Sequence, residues 1–204
     1  MIMDITVFAL FLAILILLAL PLGRYMAKVF TFEKTLFDSV FCPIEKLIYR
    51  LSGINPDQEM NWKQYAGAVV LFNAIGAVVV YIIQTQQGWL PFNPEGLSGV
   101  PTWHSALNTA VSFMTNTNWQ SYSSESTMSY FTQMTALTVQ NFKSAATGIV
   151  VAIALIRGLT RKTVSTIGNF WVDLVRCIVW VLIPLSIVFT LVLVQQGVIQ
   201  NLSS

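Results

Sequence analysis

The chain has 204 residues, 55% of them hydrophobic and 10% charged, with a mean hydropathy of +0.67 and a formal net charge of +2. A soluble surface draws on roughly a quarter charged residues, so this composition excludes an ordinary soluble domain and points to an integral membrane protein. The small, scattered positive charge excludes a nucleic-acid partner, and Cys42, Cys177 and the lone His104 stand too far apart to form a metal or redox motif.

A helix rises about 1.5 Å per residue and needs roughly 20 mostly apolar residues to cross a hydrocarbon core. Ile5–Leu22 is apolar over 18 residues and follows Asp4. It lacks the basic flank and small-residue cleavage site of a signal peptide, so a retained transmembrane helix is expected. The following loop carries Arg24, Lys28, Lys34, Lys46, Arg50 and Lys63. Within it, Pro43 is read as opening a short helix with Ile44, Leu47, Ile48 and Leu51 on one face and Gly53 as its stop. Such a helix either lies at the membrane interface or receives a cytoplasmic partner.

A second span is expected at Tyr65–Ile83. The segment from Gln84 to Ser129 has no Lys or Arg, yet its second half is too apolar for a plain loop. His104–Thr115 places Ala106, Leu107, Ala110, Val111, Phe113 and Met114 at helical spacings, with Thr102 as the expected N-cap. It is too short to span, which suits a re-entrant half-helix; a surface loop with a short amphipathic helix is the other option. Thr115–Glu125 follows, rich in hydroxyl and amide groups. Non-helical backbone at membrane depth must be buried in protein or line a water-filled path. The half-helix would point its negative dipole end inward, favouring a cation near Met114–Asn116.

The third span, Tyr130–Ile156, is the least apolar, and Gln133, Ala136, Gln140, Lys143 and Thr147 fall along one stripe that should face protein or water. Lys143 either lines a vestibule as a tethered cation or is paired with a carboxylate or with backbone carbonyls of a repeat missing from this chain. After Arg157, Arg161 and Lys162 comes the fourth span, Val172–Val194, where Asp173 and Arg176 stand one turn apart as an expected intrahelical ion pair. The basic residues flank these spans on one side, so both termini and the 84–129 segment are expected outside. The expected class is all-α integral membrane: four transmembrane helices with one re-entrant pore half-helix between spans two and three.

The strings EMNWKQY (Glu59–Tyr65), LNTAVSFMTNTNWQSY (Leu107–Tyr122) and LTVQNFKSAATG (Leu137–Gly148) resemble the KdpA family. ALIRGLTR (Ala154–Arg161) and GNFWVDLVR (Gly168–Arg176) add to the resemblance, which covers essentially the whole chain. It implies a subunit of an ATP-driven potassium uptake pump in the bacterial inner membrane. Potassium is then the transported substrate, with no organic cofactor. The implied partners are KdpB, which hydrolyses ATP as a P-type ATPase, KdpC, the small KdpF, the remaining KdpA repeats and membrane lipids. No DKTGT or GxxxxGK[ST] string occurs, in keeping with ATP hydrolysis on another chain.

The resemblance also implies site residues. Asn116, Thr117 and Asn118 match filter positions whose backbone or side-chain oxygens face the ion, and Thr115 either caps the half-helix or adds a hydroxyl below the ion. Gln120 is expected to hold the loop by hydrogen bonds, Trp119 and Tyr122 to pack it, and Gln140 and Lys143 to lie on the pore-lining helix. By this resemblance residues 1–64 form an N-terminal helix and cytoplasmic loop, 65–158 a first membrane–pore–membrane repeat, and 159–204 the opening of a second. A full subunit has four such repeats, so one supplies about a quarter of a ring of carbonyls. Alone the chain is expected not to form a selective pore; a truncated, non-conducting assembly fragment is the alternative function.

Overall fold

A computed structural model describes residues 2–161 and 163–198, the side chains of 2–4 aside. Lys162, used above for orientation, lies outside the described residues. Four helices are long and apolar enough to cross a membrane: Ile5–Phe30, Trp62–Trp89, Thr132–Thr160 and Phe170–Gln195. They contain all four expected spans except Tyr130 and Phe131, each running a few residues further because polar residues continue the helix past the apolar core.

The first span is α1 (Ile2–Phe30). Its apolar side chains from Ile5 to Leu20 stay exposed, and only Val29 and Phe30 in its last turn are buried. Tyr25 donates its hydroxyl to the Trp180 carbonyl at 2.8 Å and fastens that end to the bundle. An apolar helix with so little protein cover suits a lipid environment.

Helix α2 (Asp38–Ser52) starts five residues before the expected Pro43. Asp38 accepts from the Thr35 amide (3.0 Å) and hydroxyl (2.7 Å), which fixes the entry turn and lets the helix begin there. Pro43 therefore sits inside the helix, where it removes one backbone donor. Gly53 ends α2 as expected, at φ +65°, a left-handed cap that glycine adopts without Cβ strain. Ile44, Leu47 and Leu51 remain exposed, while the face turned to the bundle buries Glu45 and Tyr49.

A short antiparallel pair, β1 (Met60–Asn61) with β2 (Thr166–Gly168), ties the loop before span two to the loop before span four. Asn61 caps α3 (Trp62–Gln86) in a reciprocal box with Gln64. After α3 come α4 (Trp103–Met114) and the single turn α5 (Ser124–Thr127). The third span opens with a π-helical segment, Thr132–Thr138, and continues as α6 (Val139–Thr160). The fourth is α7 (Phe170–Arg176), a second π segment, Cys177–Leu182, and α8 (Ile183–Gln195). The predicted stripe runs from the first π segment, which holds Gln133 and Ala136, into α6 with Gln140, Lys143 and Thr147; Ala136, Gln140 and Thr147 are buried and Gln133 and Lys143 half-buried, so it faces protein.

The intrahelical pair expected between Asp173 and Arg176 does not form. Asp173 accepts from Arg157 at 2.6 Å and from the Tyr65 hydroxyl at 3.1 Å. Arg176 instead donates to Glu45 of α2 at 3.3 Å, and Glu45 also accepts from Tyr49 (2.8 Å) and the Trp180 indole (2.6 Å). Both α7 charges are buried. A buried charge needs several donors or acceptors around it, and neighbouring helices supply these where a single turn of one helix cannot.

The main core stacks Tyr65, Phe72 and Trp171 edgewise around Phe170, with ring centres 5.0–5.7 Å from it. A second cluster, built on Val80, Ala110, Phe113, Met128 and Leu137, lies beneath α4 and seats the candidate site.

Candidate functional site

Helix α4 starts at Thr102 as expected, although the threonine side chain makes no capping hydrogen bond. The Gln84 amide, in the last turns of α3, donates to the Ala106 carbonyl and pins the start of α4. The buried face of α4 is Ala106, Thr109, Ala110 and Phe113, at steps of three and four. At the other end Asn116 Oδ1 accepts from the Ser144 hydroxyl at 3.2 Å, midway along the third span. The twelve residues of α4, about 18 Å long, thus carry the chain from the end of α3 to the middle of the third span.

Helix α4 closes in a Schellman turn. Thr115 is the C-cap; the Thr117 amide returns to the Ser112 carbonyl at 2.9 Å and the Asn116 amide to Phe113 at 3.4 Å. Asn116 takes the left-handed conformation (φ +60°), and Asn118 repeats it at φ +57°. Asparagine tolerates this region better than most residues, which is one reason an NTN sequence fits here. The Thr115 hydroxyl bonds the Ser112 carbonyl (3.2 Å) and the Thr117 hydroxyl (3.0 Å).

The Asn118 amide also reaches the Ser112 carbonyl (3.3 Å), and the Trp119 amide reaches the Ser112 hydroxyl (2.6 Å). Every peptide here is trans. In a planar trans peptide the carbonyl of one residue points opposite to the amide of the next. Since the amides of Thr117, Asn118 and Trp119 turn in to Ser112, the carbonyls of Asn116, Thr117 and Asn118 turn away from it. Residues 115–119 are exposed, so these oxygens face an open side of the chain. The Asn116 side-chain oxygen is engaged by Ser144, which leaves its main-chain carbonyl as the free acceptor.

The supporting residues divide. Gln120 donates to the Ser124 hydroxyl and holds the return strand. Tyr122 packs on the cluster beneath α4 and donates to Gln84 at 3.3 Å; burial raises its phenol pKa, so it remains a protonated donor. Trp119 is 55% exposed in this chain, with its amide drawn in to the Ser112 hydroxyl. Gln140 is buried with its amide oxygen against Gly76 of α3. Lys143 rests with Nζ 4.4 Å from the Phe72 ring centre, away from any carboxylate among the described residues.

Beside the loop a cavity of about 280 Å³ is lined by Asn93, Glu95, Glu125, Ser129 and Gln133. A hydrogen bond from Ser123 holds the Glu125 carboxyl below its ordinary range, so the cavity carries negative charge at neutral pH. The cavity thus sets two carboxylates among hydroxyl and amide side chains, groups that attract cations. Sequence reasoning missed Ser112, Ser144 and Gln84. The first two lie inside the distinctive strings LNTAVSFMTNTNWQSY and LTVQNFKSAATG, and that was the signal available.

The family model described as "Potassium-transporting ATPase A subunit" (KdpA) matches residues 9–204. The potassium-transporting ATPase potassium-binding subunit of Sorangium cellulosum is 57% identical over 193 residues, covering 95% of this chain and 33% of that protein. The protein of that name from Bordetella pertussis is 56% identical, with 95% and 32% covered. That from Geotalea uraniireducens is 54% identical over 194 residues, with 95% and 33% covered. The chain spans about a third of the length of these curated relatives.

Proposed function

The chain belongs to the KdpA family of potassium-transporting ATPase A subunits, and from that premise we propose that it supplies one pore loop of a potassium-binding, potassium-translocating subunit. The observation that carries this is the convergence of three peptide amides on Ser112, which turns the carbonyls of Asn116, Thr117 and Asn118 to the open side. Carbonyl oxygens held in a row replace the hydration shell of a dehydrated monovalent cation. One loop gives about a quarter of the ring, and the loops of three further repeats complete it.

In this function α4 is a re-entrant half-helix entering from the outside of a bacterial inner membrane, with the N-terminus also outside. The contact between Asn116 and mid-span Ser144 supports the depth, and the absence of Lys and Arg from the 84–129 segment supports the side. Gln120 braces the loop, Thr115 caps its helix, and Gln140 and Lys143 belong to the helix behind it. ATP hydrolysis takes place on the partner KdpB, with KdpC and KdpF in the same complex.

The test replaces Gln120 with arginine in the full-length subunit and measures uptake at low external potassium. A bulky cation in place of the Ser124 contact is expected to weaken apparent potassium affinity by about tenfold or more. Unchanged affinity overturns the pore-loop assignment.

A further inference from the structure

Ser112 receives more bonds than ending a helix requires. A Schellman turn is complete once the Thr117 and Asn116 amides have returned to the last turn of α4. Yet the Asn118 amide adds itself to the same Ser112 carbonyl at 3.3 Å, and the Trp119 amide reaches seven residues back to the Ser112 hydroxyl at 2.6 Å. Ser112 is itself buried. It sits between Val111 and Phe113, and Phe113 packs in the cluster beneath α4, so its position is set by the scaffold.

We propose that Ser112 is a positioning residue that sets ion selectivity at this loop. Its carbonyl and hydroxyl gather the Thr117, Asn118 and Trp119 amides and so fix where the Asn116, Thr117 and Asn118 carbonyls stand. The proposal rests on the pore-loop function above and adds to it a residue that does not itself touch the ion. The helix-terminating bonds use only the Ser112 backbone, so any residue supplies them. The hydroxyl bond to Trp119 is the part that requires serine or threonine. It locks the Asn118–Trp119 peptide and with it the outermost carbonyl of the row. Without it that carbonyl swings, and a ring able to contract around a smaller ion discriminates less between potassium and sodium.

The experiment uses the full-length subunit in its assembled pump and compares apparent affinities for potassium and sodium in the unmodified protein and in Ser112→Ala, Ser112→Thr and Gln120→Arg. Ser112→Ala is expected to reduce the potassium-to-sodium ratio by about tenfold, the size of one lost buried hydrogen bond, and Ser112→Thr to restore it. If Ser112→Ala does not accumulate in the membrane, Ser112→Cys, whose sulfur is a weak acceptor, carries the same prediction at smaller size. A folded Ser112→Ala or Ser112→Cys with an unchanged ratio overturns the proposal. Where Gln120→Arg is also silent, the pore-loop function falls with it; where Gln120→Arg weakens uptake as expected, only the role of Ser112 is lost.

Discussion

Lys143 carries an ammonium into the third span and rests it over the Phe72 ring, 4.4 Å from its centre. The sequence left a tethered pore cation and a paired lysine open, the pairing with a carboxylate or with carbonyls of a further repeat; within this chain the ammonium lies over an aromatic face. Such a contact shields charge without fixing a second ion, and in a partly desolvated setting it contributes about 1 kcal/mol. A double-mutant cycle on thermal unfolding in detergent, with Phe72→Leu, Lys143→Met and the pair, is expected to give a coupling of about 1 kcal/mol. Strictly additive effects would show that the ring and the ammonium do not interact. The charges of α7 teach a related lesson. Spacing along one helix offers Asp173 and Arg176 to each other, but Arg157 and Glu45 take them, because partners on other helices are invisible to local periodicity.

At the scale of elements, α4 depends on close packing among α3, α4 and α6. Gly76 lets α6 approach: a Cβ there would collide with the Gln140 side-chain oxygen, and Gln140 is 2% exposed and has little room to move. Alanine is worth about 1 kcal/mol more than glycine in an isolated helix, so simple propensity predicts that Gly76→Ala stabilises α3. Packing predicts the opposite, a loss of about 1–3 kcal/mol read as a lower unfolding midpoint, part of it recovered by Gly76→Ala with Gln140→Ala. A raised midpoint for the single variant would refute the packing account. The spans and the short helix before the NTN sequence were legible because apolar length and helical spacing are local. The start of α2 was not: Asp38 and Thr35 set it, and the proline that looked like a beginning falls inside. The β1–β2 pair was equally hidden, as it joins residues about a hundred positions apart.

For the whole molecule, the distribution of Lys and Arg predicts which side each loop occupies. With Cys42 and Cys177 replaced, a membrane-impermeant maleimide added to intact cells is expected to label Ser98→Cys in the loop before α4 and to leave Ser52→Cys at the end of α2 unlabelled. The reverse pattern would invert the topology. The apolar flank of α1 and residues 115–119 are exposed in this chain.

The sequence by itself determined the membrane class, the number of spans, the short helix with its polar return, and the family. Each is written in composition, in periodicity or in a distinctive string such as TNTNWQSY, and needs no knowledge of what lies across the bundle. Tertiary structure alone decided which amides meet at Ser112, which charges pair and which ring Lys143 lies over. Ser112 gathers amides from residues up to seven positions downstream, and Asn116 meets Ser144 from another span. Hydrogen bonds and buried charges are settled by which groups come within about 3 Å of one another, and helix packing, not position along the chain, brings them there.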